Sequence, residues 1–179
     1  MIYFTSDLHF CHNKPFLYEP RKFTNVYDMN EAIVRNWNAK IDPEDDVYVL
    51  GDLMLNDNDT GIRLLKNLKG RIHIILGNHD TDARVELYRN CYNVVEITYA
   101  TIIKVNGYHF YLSHYPTITS VPEDDKDAKH RLICLYGHTH QQTNFYNDNP
   151  YIYHVGVDSH NCTPVSVDQI IEDILAKEK

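Results

Sequence analysis

Asp7 with His9, Asp52, Asn78, His114, and His138 with His140 offer carboxylate oxygen, amide oxygen and imidazole nitrogen, donors that suit divalent manganese, iron, zinc or nickel. Each follows a short run of β-branched, aromatic and aliphatic residues: Ile2 to Ser6, Val47 to Leu50, Ile72 to Leu76, His109 to Ser113 and Leu132 to Tyr136. Such runs read as buried strands, so the candidate ligands fall at strand ends. Two divalent ions roughly 3.5 to 4 Å apart lower the pKa of a bridging water, hold phosphate oxygens and neutralise charge during in-line displacement. These residues therefore suffice for phosphoester hydrolysis without a protein nucleophile.

Within the set, Asp7 and His9 are two residues apart, so they point to one side wherever strand geometry persists. Asp52 follows Gly51, which permits a sharp turn, and its two oxygens can bridge two cations. His79, beside Asn78, is better placed to protonate a leaving oxygen than to bind metal, and Asp80 could orient that imidazole and raise its pKa. The segment from His9 to Tyr27 reads as a long functional loop, where His12, Asn13 and Arg21 are candidates for contacting a substrate phosphate. Tyr115, directly after His114, is the candidate for lining the cleft.

The elements that must position these residues follow from periodicity. A helix is expected from Asp28 as N-cap through Lys40, with Met29, Ile33 and Trp37 on one face. A second runs from Asp57 to Lys69 with Gly70 at its C-terminal cap, completing a βαβ unit. A short helix is expected near Asp82 to Arg89. Val94 to Val105 and Tyr108 to Ser113 flank Asn106-Gly107, a strong hairpin turn, and so imply a mixed sheet. Thr117 to His130 reads as an acidic surface loop beside the site. Ser166-Val167-Asp168-Gln169 matches a capping box that opens a last helix.

A chain of 179 residues suits one domain, 1–179, with a well-buried core. No apolar stretch approaches the roughly 20 residues of a membrane span, and Met1 to Asp7 lacks the features of a secretory signal, so a cytoplasmic location is expected. Cys11, Cys91, Cys134 and Cys162 form no C-x-x-C pair, which argues against a disulfide framework or zinc ribbon. The net charge of −8 repels polyanions and disfavours extended nucleic acid, so the expected partner is a small phosphate ester held through bound metal. Nothing in the sequence specifies an oligomeric state.

Taken in order, D-x-H, G-D, G-N-H-D, a lone histidine and G-H-x-H, spanning residues 7 to 140, resemble the calcineurin-like metallophosphoesterase superfamily. The resemblance implies an α/β fold in which two mixed β-sheets pack as a sandwich flanked by helices. It also implies two divalent ions, with manganese the first choice and iron, zinc or nickel the alternatives. Asp7, His9, Asp52 and His140 would hold one and Asp52, Asn78, His114 and His138 the other, with His79 as the catalytic histidine. Leu53-Met54 follows Asp52 where protein serine/threonine phosphatases place aspartate-arginine, and no tyrosine follows as in purple acid phosphatases, so neither activity is expected. The opening segment and Gly156-Val157-Asp158-Ser159 to Pro164-Val165-Ser166 are similar to small bacterial and phage phosphoesterases. The expectation is a dinuclear phosphoesterase that uses a metal-bridging hydroxide with His79 as general acid, phosphodiesters being favoured over monoesters. The alternatives are a nuclease or a non-catalytic scaffold of the same fold, and scaffolds usually lose ligands that this chain keeps.

Overall fold

The structure, a computed structural model, describes residues 1–120 and 127–178. Its first sheet has the strand order β4-β3-β2-β1-β9. Here β1 is Ile2–Thr5, β2 Asp46–Leu50, β3 Arg71–Ile75, β4 Val94–Thr98 and β9 Val165–Ser166. β1 to β4 are parallel and β9 is antiparallel to β1. The parallel part needs crossover helices, which α2 (Val26–Lys40), α3 (Asn58–Lys66) and α4 (Asp82–Arg89) supply. Alternation along the strands sends Tyr3, Val47, Val49, Ile72 and Ile74 toward these helices, where they pack with Met29, Ile33, Trp37, Leu65 and Tyr88.

The second sheet has the order β5-β6-β7-β8, with β5 Ala100–Val105, β6 Tyr108–Ser113, β7 Leu132–Tyr136 and β8 Ile152–His154. β5 and β6 form an antiparallel hairpin around Asn106 and Gly107, both at positive φ, and the remaining pairings are parallel. Phe4, Leu50 and Ile75 from the first sheet meet Phe110, Leu112, Ile133, Leu135 and Tyr153 from the second in one buried cluster. The last helix, α5 (Val167–Lys177), adds Ile170 and Ile174 to it. The two mixed sheets thus form the expected sandwich, and their strands end beside one another.

Three boundaries differ from the sequence reading. The helix α2 starts at Val26 because Asn25 takes the cap: its side chain accepts from Asp28 N at 2.9 Å and donates to the Asp28 carboxylate at 2.8 Å. The helix α3 stops at Lys66 because Lys69 is drawn away to α2, its carbonyl accepting from Trp37 Nε1 and its NH donating to Asn38 Oδ1, both at 2.9 Å. Val94 to Val105 is not one hairpin arm, since the chain breaks at exposed Tyr99 and crosses from the first sheet to the second. Of the loop expected over Thr117 to His130, residues 121–126 lie outside the described residues, and Ala128–His130 is a 3-10 turn whose Ala128 is buried.

Candidate metal centre and its surroundings

The first strand ends at Thr5, yet ladder-like bonds continue: Asp7 N donates to Gly51 O and His9 N to Asp52 O, both at 3.0 Å. Asp7 (φ 56°) and His9 (φ 49°) are both left-handed, with Leu8 fully buried between them. The two side chains therefore share a side through paired left-handed turns, which corrects the expectation of persisting strand geometry. Asp52 (φ 57°), His138 (φ 69°) and His140 (φ 50°) are left-handed too. Non-glycine residues adopt this region at a cost of roughly 1–2 kcal/mol each, and such strain concentrates where function over-determines the backbone. Glycines make the close approach possible. A Cβ on Gly77 would run into the Asp52 carboxylate, and one on Gly137 would lie 2.5 Å from Asp7 Oδ2.

The side chains converge. His9 Nε2 lies 3.2 Å from His140 Nε2, 3.6 Å from Asp52 Oδ2 and 3.9 Å from Asp7 Oδ1. His114 Nε2 and His138 Nδ1 each lie 2.9 Å from Asn78 Oδ1, and His114 Nε2 is 3.7 Å from Asp52 Oδ2. All seven candidate ligands are thus brought together, and the Asp7–His9–His140 and Asp7–Asp52–His114 groups each have donor atoms within 4.8 Å of one another. His114 Nδ1 donates to Leu50 O at 2.7 Å, so in the neutral ring its Nε2 presents a lone pair to another acceptor, Asn78 Oδ1. Acceptors facing at such range repel unless a cation lies between them. For a metal–ligand distance of about 2.1 Å, neighbouring ligands sit roughly 3.0–3.4 Å apart, near the separations seen here.

The electrostatics agree. Asp7 is fully buried and its Oδ1 has no hydrogen-bond partner. Burial pushes its carboxyl pKa up despite nearby His140, His114 and Ser6. Burial likewise pushes His9 and His138 down, followed by His140 for His9 and His114 for His138. A buried carboxylate with one oxygen left unpartnered, beside the His9 and His138 imidazoles biased toward their neutral forms, is a donor set that fits a divalent cation.

Around the donors lies a shell of positioning contacts, where two sequence expectations need correction. Arg21 does not reach outward to clamp phosphate. It is buried, with Nε and Nη2 on the two Asp158 oxygens at 2.8 and 2.9 Å and further bonds to the carbonyls of Asp7 at 2.9 Å and Leu8 at 3.3 Å. Asp158 Oδ2 also bonds His140 Nδ1 at 2.9 Å. Burial alone would lower the His140 pKa, but the Asp158 bond and the Asp7 charge raise it. Burial would raise that of Asp158, but His140 and Arg21 hold it well below the carboxylate range. Asp80 likewise does not orient the His79 ring. Its Oδ2 accepts from Gly77 N at 2.8 Å and Asp52 N at 2.9 Å and its Oδ1 from Tyr88 OH at 2.8 Å, so it fixes the two loops that carry Asn78 and Asp52. The environment of Asp80 includes the deep burial that pushes its pKa up.

His79 donates its NH to Asp52 Oδ1 at 2.9 Å, while Arg84 of α4 donates to its carbonyl at 2.5 Å. Its Nε2 stands 3.9 Å from Asp52 Oδ2. His12 lines a cavity with His9, His79 and His140, whereas Asn13 is exposed and outside that lining. Tyr115 packs edge-on against His114 and His138, with ring centroids 5.1 and 4.7 Å away. Sequence reasoning missed the roles of Asp158, Arg84 and Tyr88, which lie far along the chain from, or on helices beside, the residues they hold. The Gly156-Val157-Asp158 segment was the one signal available.

A sandwich of mixed sheets with histidines, carboxylates and an asparagine gathered at its strand ends defines a metallophosphoesterase architecture. Residues 1–159 match the calcineurin-like phosphoesterase superfamily domain, and the chain belongs to that metal-dependent family. An uncharacterised protein of Methanocaldococcus jannaschii is 35% identical over 96% of this chain and 89% of its own length. A crystal structure of an Aquifex aeolicus protein of unknown function superposes with a TM-score of 0.70 at 26% identity, covering 96% of this chain and 98% of that one. A novel archaeal phosphodiesterase shares the fold at a TM-score of 0.51 and 18% identity, over 87% of this chain and 81% of its own. Among the described residues, no helix is long and apolar enough to cross a membrane.

Proposed function

We propose that this protein is a dinuclear metal-dependent hydrolase of a small phosphodiester. The observation that carries the reading is the buried Asp7 Oδ1, without a hydrogen-bond partner and faced by His9 Nε2 at 3.9 Å and His140 Nε2 at 3.8 Å. Asp7, His9, Asp52 and His140 would hold one divalent ion, and Asp52, Asn78, His114 and His138 the other, with manganese the first candidate. When bound, the ions supply positive charge for phosphate oxygens and an acidified water. The chain's residues do the rest. Left-handed turns and glycine approaches keep the donors in place, while the Asp158 and Leu50 contacts aim His140 and His114. His79, anchored through its backbone, brings an imidazole to the leaving oxygen and gives it a proton. An alkoxide leaving group gains most from that proton, which favours diesters.

Metal-stripped protein should be inactive on bis(p-nitrophenyl) phosphate and regain turnover with manganese, and Asp52→Asn should fail to regain it. Failure of wild-type protein to recover with manganese, iron, zinc or nickel would count decisively against the hydrolase. The acidic surface favours a small substrate over extended nucleic acid.

A further inference from the structure

Beside the ligand cluster lies a cavity of about 510 Å³, within the roughly 300–1,000 Å³ typical of small-molecule sites. Its lining joins apolar Phe16, Leu17 and Pro20 to His12, His79 and His140. Phe16 and Leu17 belong to the single-turn helix α1 (Pro15–Tyr18), where Leu17 is buried and Phe16 is left 70% exposed. The Phe16 ring stands edge-on to His12, with centroids 5.7 Å apart and an interplanar angle of 86°. His12 in turn lies 5.3 Å from the His9 ring, so a row of rings leads from the cavity to the donors. Among the described lining residues there is no lysine or arginine side chain, while the Asp158 carboxylate is one of them. Arg21, the nearest guanidinium in the loop, is committed to Asp158 and backbone carbonyls. A second phosphate would find no lysine or arginine among the described lining residues, whereas a flat neutral group would find a phenyl face.

We propose that this cavity is the subsite for the leaving arm of the phosphodiester, an uncharged alcohol bearing a flat aromatic ring of nucleoside size, and that Phe16 is the surface on which the ring stacks. The inference rests on the phosphodiester reading above. Hydrolysis forms a bond between phosphorus and the oxygen of water and breaks the bond to this arm. The arm leaves as an alcohol, its oxygen taking the proton from His79, which lines the same cavity. The exposed position of Phe16 means that its replacement should not unfold the protein.

The test compares wild type, Phe16→Ala and Phe16→Trp in steady-state hydrolysis of bis(p-nitrophenyl) phosphate by manganese-loaded protein. Phe16→Ala should raise KM about tenfold with little change in kcat, and Phe16→Trp should keep the wild-type KM. The inhibition constant of inorganic phosphate, which needs only the ligand cluster, should be equal in all three. Saturation-transfer NMR with adenosine provides a readout free of turnover: wild type should give a signal that Phe16→Ala loses. Unchanged KM and an unchanged adenosine signal in Phe16→Ala would overturn the subsite while leaving the hydrolase reading intact. A parallel rise in KM and the phosphate inhibition constant would also overturn it, by showing damage to the ligand cluster. Phe16-dependent adenosine binding in a wild-type protein that hydrolyses no diester would support the aromatic subsite and sink the hydrolase.

Discussion

At His79 the backbone holds and the side chain is left to react. The bonds from its NH to Asp52 and from Arg84 to its carbonyl survive truncation of the ring, whose side chain is 42% exposed beside the cavity. His79→Ala should therefore retain metal yet lose about 10²- to 10⁴-fold in kcat on a diester with an alkyl leaving group. The loss on a p-nitrophenyl leaving group should be smaller, because nitrophenolate needs little proton assistance. Equal losses across leaving groups, or reduced metal content by elemental analysis, would make His79 a ligand instead. Asp158 has the complementary task. Its carboxylate joins Arg21 to His140, and both members of the ion pair are buried, with side chains only 1% and 3% exposed. Asp158→Asn leaves the guanidinium without its counter-charge and weakens the acceptor that aims His140. Manganese affinity measured by calorimetry should fall about 10- to 100-fold, and the metal-free protein should lose about 3–5 kcal/mol of unfolding free energy. Unchanged affinity would reduce Asp158 to a purely structural partner.

Strand ends carry the candidate ligands because a parallel strand ends where the chain must turn back into a crossover, and side chains there face neighbours on adjacent strands. That logic is legible in sequence: the runs before Asp7, Asp52, Asn78, His114 and His138 are short, apolar and individually punctuated. What sequence did not disclose lies in contacts between distant residues. Arg21 meets Asp158 across 137 positions and Asp80 meets Tyr88 on the turn of a helix, and neither pairing leaves a local pattern. The sheet switch at Tyr99 was hidden because β4 and β5 have the same β-rich composition, and only pairing tells them apart. β8 offers a test at this scale. It ends at fully buried His154, whose Nδ1 bonds Ser159 Oγ at 2.9 Å and whose pKa burial lowers from 6.5 to about 3. The unfolded chain then binds a proton that the folded one refuses, so stability is full above about pH 6.5 and falls as pH drops toward 3. Between pH 7 and 5 the loss from this residue alone is on the order of 2 kcal/mol. Urea unfolding of metal-free wild type and His154→Gln should show the variant with the shallower pH dependence. Parallel curves would mean that His154 keeps its ordinary pKa in the fold.

The molecule as a whole is closed by its site as well as its core. Asp7, His9, Asp52 and Asn78 follow strands of the first sheet, while His114, His138 and His140 follow strands of the second, so a cation held among them would cross-link the two layers at one end. The interior cluster of Phe4, Leu50, Phe110 and Leu135 joins the sheets without metal, so the stripped protein should still fold. In that state, however, Asp7 is buried without a partner for Oδ1, and the His9 and His140 Nε2 atoms stand only 3.2 Å apart. Metal bound to the native state alone stabilises it by about 2.7 kcal/mol at a free concentration 100 times the Kd. For a chain of this size each kcal/mol raises Tm by about 2–4 °C, so manganese at that concentration should lift it by about 5–10 °C. Replacing Asp52, whose Oδ2 lies 3.6 Å from His9 Nε2 and 3.7 Å from His114 Nε2, by asparagine should remove most of that shift while leaving the metal-free Tm near or above the wild-type value, since a buried carboxylate gives way to a neutral amide. Scanning calorimetry of chelated and manganese-loaded protein, wild type beside Asp52→Asn, decides it. A manganese shift of equal size in both proteins would place the stabilising ion away from the strand ends, and the two-layer cross-link would have to be abandoned.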